Sequence, residues 1–235
     1  DVLLVEKTVT VRGGYTTTDW ATSDPQLHPT TLDGDDARRV VDITGPITPV
    51  IDGFRLVRGR ASRGAGVRVD QAAAVIRNNV IAGNRAETGF FGAAWGGGLY
   101  LKEARGAQVV GNTIEDNMAF SGAGSGRGGG VYADDSEAVF RGNTISDNTA
   151  SGLAGTAGGG LYISGGDVTF VDGSLTGNQA DYDGGGLYLD DGLLLMARSV
   201  VSGNEAVLGS GGGLYLQPTA AELSCRLSCS KPCPR

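Results

Sequence analysis

The chain has 235 residues, 41 of them glycine and only 6% aromatic, with a net charge of −7 and a pI near 4.7. Charges of both signs are scattered without a basic stripe, which argues against nucleic acid and anionic membranes as partners. No run approaches 18 apolar residues, so no segment is expected to span a bilayer, and the length suits one elongated domain.

In chain order, Val2-Leu3-Leu4-Val5 already reads as strand at the first residues, as in a processed chain or a fragment. Val9 to Tyr15 ends a second strand. Residues 16–31, with Asp19-Trp20, Asp24-Pro25 and His28-Pro29, read as a long polar loop. Leu32-Asp33-Gly34 and Val40 to Ile43 resume strands. Residues 1–60 are therefore irregular coils carrying an insertion at 16–31, residues 61–217 a regular repeat, and 218–235 a degenerate tail.

The repeat is announced by Gly-Gly-Gly-Leu/Val-Tyr at Gly96–Tyr100, Gly128–Tyr132, Gly158–Tyr162, Gly184–Tyr188 and Gly211–Tyr215, preceded by a weak copy at Gly64–Arg68. Successive copies begin 32, 32, 30, 26 and 27 residues apart, the spacing of stacked supersecondary units. Each copy is followed by an alternating stretch and then by x-x-Ile/Leu/Val-x-x-Asn-x-Ala, as in Asn112 to Ala119. Apolar positions fall two apart, a strand signal, and Gly/Asn/Asp turns leave no room for a helix. Three short strands per unit make an all-β, single-stranded parallel β-helix of roughly seven coils, about 30–35 Å long at the parallel-strand spacing. Hexapeptide repeats, usual in left-handed versions, are missing, so a right-handed coil is expected.

Equivalent positions form rows along such a coil. Leu99, Val131, Leu161, Leu187 and Leu214 are one inward ladder; Ile81, Ile114, Ile145, Leu175 and Val201 a second; Ile76, Val109, Phe140, Phe170 and Met196 a third. Asn84, Asn117, Asn148, Asn178 and Asn204 fit an asparagine ladder at a bend, where this residue tolerates left-handed backbone. The glycine triplets read as tight-turn residues, since no helix follows them to form a phosphate cradle.

Gly13-Gly14-Tyr15, Asp19-Trp20, Asp24-Pro25 and Pro29-Thr30-Thr31-Leu32-Asp33-Gly34, followed by the Gly-Gly-Gly-Leu-Tyr and Asn-x-Ile-x-x-Asn repeats, give the chain a family likeness over residues 1 to about 217. It resembles secreted bacterial right-handed parallel β-helix repeat proteins of pectate-lyase-like fold. The resemblance implies a secreted or cell-surface location and an architecture, more than a chemistry. Some folds of this type act on polysaccharides, so an enzyme is conceivable by analogy. Their acid and base blocks are missing here, and the single histidine, His28, lies in the loop insertion.

Candidate sites are therefore surfaces. Tyr100, Tyr132, Tyr162, Tyr188 and Tyr215 lie between inward aliphatics and must point outward as an exposed column, either stacking to stiffen the sheet or offering a platform to sugars or a partner. The loops between Asn-x-Ala and the next triplet shrink from 11 residues (85–95) through 10 and 9 to 5 and 6. The long ones carry Phe90, Phe91, Trp95 and Phe120, either a small satellite core or a recognition patch. Asp134-Asp135 and Asp190-Asp191 follow strands and read as solvated turn carboxylates, with calcium binding or acid/base catalysis the alternative. Cys225, Cys229 and Cys233 match no zinc or haem spacing; one local disulfide plus a free or intermolecular thiol is expected, or a non-native end. No cofactor, metal or catalytic residue is assigned. The function expected is a non-catalytic extracellular scaffold for adhesion, matrix or filament assembly, with polysaccharide binding or degradation as the alternative. Open coil ends would favour head-to-tail docking of Val2–Val11 on Leu214–Leu223 of another copy.

Overall fold

The computed structural model describes residues 1–217 and the backbone of Leu223–Arg226. All regular elements among the described residues are strands, and every pairing between them is parallel across successive coils. A middle coil runs through Leu99–Lys102, Ala107–Val110, Thr113–Glu115 and Met118–Phe120. The first two lie in one 14-stranded sheet, because in later coils they fuse into the continuous strands Leu161–Val171 and Leu187–Ala197. The others fall in a 7-stranded and a 6-stranded sheet, giving three principal sheets. The fourth short strand was not separated from its neighbour in the sequence, because it holds only one inward residue, the alanine of Asn-x-Ala. No helix among the described residues is long and apolar enough to cross a membrane.

The registers follow the rows. Leu99 pairs with Val131, Val131 with Leu161, Leu161 with Leu187 and Leu187 with Leu214. Ile81, Ile114, Ile145, Leu175 and Val201 pair likewise, and Phe140 stacks on Phe170 at 6.3 Å. These rows close into one core along the axis, with Leu99, Leu161, Ile114 and Phe140 fully buried. Residues before 60 share this register: Leu3 pairs with Val41, Val11 with Ile51 and Leu32 with Leu56. The insertion leaves the first coil without interrupting the stack.

The bends hold the ladder the spacing predicts. Asn117 Oδ1 accepts the backbone N–H of Asn84 at 3.0 Å and its side-chain amide at 2.9 Å, while Asn117 Nδ2 donates to the Ile81 carbonyl at 2.8 Å. The pattern repeats through Asn148, Asn178 and Asn204. A second ladder, Asn79, Asn112 and Asn143, stands at the preceding corner. Five residues before the first in each coil, it is visible in the same motif.

The glycine triplets serve this ladder as well as the turn. The first glycine of each copy has φ near +65°, as at Gly158 (φ 64). The third lies against the asparagine of its own coil: a Cβ on Gly130 would sit 2.7 Å from the Gly160 carbonyl oxygen and 2.9 Å from Asn148 Nδ2. The two signatures of the repeat are halves of one contact.

Leu161→Ala should cost about 2–5 kcal/mol in urea unfolding through the cavity it leaves. Asn148→Asp tests the ladder differently. A carboxylate can accept from Asn117 but cannot donate to the Ile114 carbonyl or Asn178 Oδ1, bonded now at 2.9 Å each. Its folded pKa should rise, so the loss of stability should be smallest below the ordinary aspartate pKa and grow as pH rises through it. A pH-independent loss in unfolding curves would contradict this.

Candidate functional site

The tyrosines do point away from the aliphatic core, but the column is not exposed. Tyr100, Tyr132, Tyr162 and Tyr188 are buried, Tyr100 at 1% exposure, and Tyr215 is half-buried. They form a second core. Tyr132, Tyr162, Tyr188 and Tyr215 stack nearly parallel at 4.9–5.0 Å, the spacing imposed by the strands beneath them. Trp95 lies over Tyr132 at 5.3 Å and over Tyr100 at 6.3 Å. Arg63 covers Trp95 at 4.1 Å, and Arg127 covers Tyr162 at 5.3 Å. The cover comes from the loops between Asn-x-Ala and the next triplet, which fold back over the sheet.

Three of the five hydroxyls make a hydrogen bond one coil on. Tyr100 donates to Asp134 Oδ2 at 2.8 Å, Tyr162 donates to Asp190 Oδ2 at 3.0 Å, and the Tyr188 hydroxyl accepts from Gln217 Nε2. Burial, reinforced by the Asp134 hydrogen bond and charge, pushes the Tyr100 phenol well above its ordinary value of 10.0. Tyr162 rises chiefly by burial, which outweighs the opposing charge of Arg127. Asp134 and Asp190 are thus acceptors for the column, whereas Asp135 and Asp191 sit exposed beyond them. Asp134 pairs with Ser164, which pairs in turn with Asp191, so the two pairs lie two coils apart. Among the described residues no group of three or more His, Cys, Asp or Glu could hold a metal ion.

The four loop aromatics separate. Trp95 joins the tyrosine cluster, and Phe120 lies under the Arg85 guanidinium at 4.7 Å. Phe90 and Phe91 stay outside, edge to face at 4.9 Å, with Phe91 84% exposed. Leu153 and Leu208, each 71% exposed, occupy the tips of later loops on the same edge. Hydrogen bonds tie these tips coil to coil: Ala123 to Phe90, Ala154 to Gly124, the Tyr182 hydroxyl to Leu153 and Leu208 to Asp181. The result is a crest of apolar tips on a fixed frame. Leu153 and Leu208 escaped the sequence reading because only aromatics were weighed there.

A third feature, also missed, is a cleft of about 860 Å³ beneath the N-terminal insertion. Its floor is the corner of the second to fourth coils, and its wall is the segment from Ser23 to Pro29. Asp52 is buried there and receives Arg12 Nε at 3.1 Å, Arg77 Nη2 at 2.9 Å and Asn78 Nδ2 at 2.9 Å. Burial opposes its ionisation, but the Asn78 and Arg77 hydrogen bonds and the charges of Arg77 and Arg12 outweigh it and hold its carboxyl below the usual range. The signal was present: Arg12, Asp52 and Arg77 occupy one outward file. In the insertion, Trp20 is 76% exposed and stacks on Tyr15 at 6.3 Å, and His28 is exposed.

Cys229 and Cys233 lie outside the described residues. Cys225 lies on a strand whose backbone pairs with that of Leu194–Ala197, its side chain being outside the description. The disulfide expectation falls there too, as do residues 218–222 of the segment expected to dock, whose first strand, Leu214–Leu216, pairs with Leu187–Leu189.

Three parallel sheets wound into a coil, asparagine ladders at the bends and no helix among the described residues define a β-helix repeat protein. Residues 50–216 match the family described as right handed beta helix region, and the chain belongs to that family. No curated protein and no solved structure matches it.

Raised tyrosine pKa values make an alkaline prediction. Below pH 10.0 a tyrosine is neutral folded and unfolded alike, so its contribution is complete. Above that pH the unfolded chain ionises first, and stability falls as pH rises. Melting temperature should drop from about pH 10 upward, and Tyr100→Phe with Tyr162→Phe should flatten the drop at a neutral-pH cost of about 0.5–1.5 kcal/mol per lost hydrogen bond.

Proposed function

We propose that this β-helix works outside the cell or at its surface as a non-catalytic scaffold, presenting its loop crest to partners in adhesion, matrix or filament assembly. The observation that carries the reading is the run of exposed tips Phe90, Phe91, Leu153 and Leu208 along one edge. Apolar surface gathered on one edge of a rigid frame, rather than scattered, is what an interaction site requires. The frame supplies preorganisation, because loops tied to their neighbours lose little freedom on binding. A hydrolytic or lyase role finds less support, since Asp134 and Asp190 already bind tyrosine hydroxyls.

A second reading, polysaccharide binding, is favoured by one observation. The exposed Trp20 ring, stacked on Tyr15, offers sugars a flat aromatic face. The tyrosine column, being buried, does not.

Arrays of matrix proteins and glycans, probed with the purified protein, separate these readings. Binding to protein surfaces that falls about tenfold in Phe90→Ser with Phe91→Ser, at unchanged melting temperature, is the expected result. Glycan binding lost in Trp20→Ala but kept in the double serine variant would favour the second. Depolymerisation of a polysaccharide that vanishes in Asp134→Asn with Asp135→Asn would overturn the scaffold.

A further inference from the structure

The cleft under the insertion has the properties of a preformed ligand site. Its volume of about 860 Å³ lies within the usual range for small-molecule pockets. Its wall is fixed at both ends. The Gly14 N–H donates to Thr30 Oγ1 at 2.9 Å, Asp24 N–H to the Gly14 carbonyl at 2.7 Å, and Ser23 Oγ to the Gly13 carbonyl at 2.8 Å. Pro25 is seated against Gly53, where a Cβ would lie 2.6 Å from the proline ring, so the turn must be glycine for the wall to close this near. A loop pinned in this way encloses space instead of covering the sheet.

The lining is divided by chemistry. Pro25, Pro29, Phe54 and Val80 supply apolar surface. Arg12 of the lining and Arg77, which lies outside it, converge on one oxygen of Asp52, so two guanidiniums meet a single carboxylate. Asp24 turns Oδ1 onto its own loop, accepting the N–H groups of Gln26 and Leu27 at 3.0 Å each. Arg55, exposed at the cleft, makes no ion pair among the described residues. Within the lining Arg12 and Arg55 balance Asp24 and Asp52, and Arg77, bonded to Asp52 from outside it, leaves the neighbourhood one positive charge in excess, in a chain of net charge −7 whose overall field repels anions. A local excess of that sign, beside apolar walls, selects for a ligand combining an anionic group with an apolar body.

We propose that this cleft binds a small molecule bearing a carboxylate or phosphate on a flat apolar body, with Arg55 and Arg12 taking the anion and Pro25, Pro29 and Phe54 the body. The anion adds the counter-charge that three guanidiniums and two carboxylates lack. Guanidinium binds both anions through paired N–H groups, so the chemistry is shared between the two sources.

The test is an amide NMR titration of the whole protein with benzoate, phenyl phosphate and neutral benzyl alcohol. Saturable shifts at Gly53, Asn78 and Gly111 are expected with the two anions, and the tighter of them identifies the source. Arg55→Gln should weaken the anions about tenfold or more. Arg55 is exposed, so its loss should leave the fold intact, checked by the unchanged remainder of the spectrum. Arg141→Gln, also exposed and two coils beyond Arg77 on the same file, should leave binding as it is. Absence of saturable shifts, equal binding of benzyl alcohol, or full affinity in Arg55→Gln would each overturn the proposal.

Discussion

Buried asparagine amides hold this fold to its register. At the main bend each side chain accepts the backbone N–H and the amide of the asparagine one coil earlier, donates to a carbonyl of that same coil, and donates again to the asparagine one coil on, so one residue links three coils. A parallel stack without these amides would leave N–H groups buried and unpaired at the corners, a cost of about 1–3 kcal/mol for each orphan. With them, a slip of one residue breaks a chain of hydrogen bonds as well as misplacing the aliphatic rows. The aliphatic core makes the coil favourable, and the asparagines decide where each coil stops turning.

That division explains what could be read from the sequence. The inward rows were legible because period-two alternation reports directly on which face is buried. The asparagine ladder at Asn84, Asn117 and Asn148 was legible because its residues recur beside an aliphatic position. The direction of Tyr162 was legible too, but its burial was not. Alternation says which side of the strand a residue leaves from, and nothing of what comes back over it. The cover is Trp95, Arg63 and Arg127, contributed by segments of unequal length and composition that share no pattern. Trp95 was consequently assigned to the loop patch rather than to the tyrosines it packs against.

The candidate sites follow the same rule. Phe90 and Phe91 stand out in any reading of the loop, whereas Leu153 and Leu208 gain meaning only once the coils align them. The cleft was illegible for a stronger reason. It depends on the insertion folding back so that Pro25 meets Gly53, a contact between residues 28 positions apart that no repeat encodes. The repeats thus specify the frame, and the departures from them carry whatever is particular to this chain. Family membership agrees with that balance, since it covers residues 50–216 and leaves the insertion out.

The pairing of each coil only with its immediate neighbours has a mechanical consequence. Force applied to one end of the chain loads the outermost coil's asparagine and aliphatic contacts first, because among the described residues no strand pairs beyond the adjacent coil. Once that coil peels away, the next becomes the outermost and meets the same load. Each release of 26 to 32 residues frees about 90–110 Å of extended chain. Such a molecule would lengthen under tension in a series of similar steps, its folded rod losing one layer at a time and absorbing work while the remaining coils stay folded.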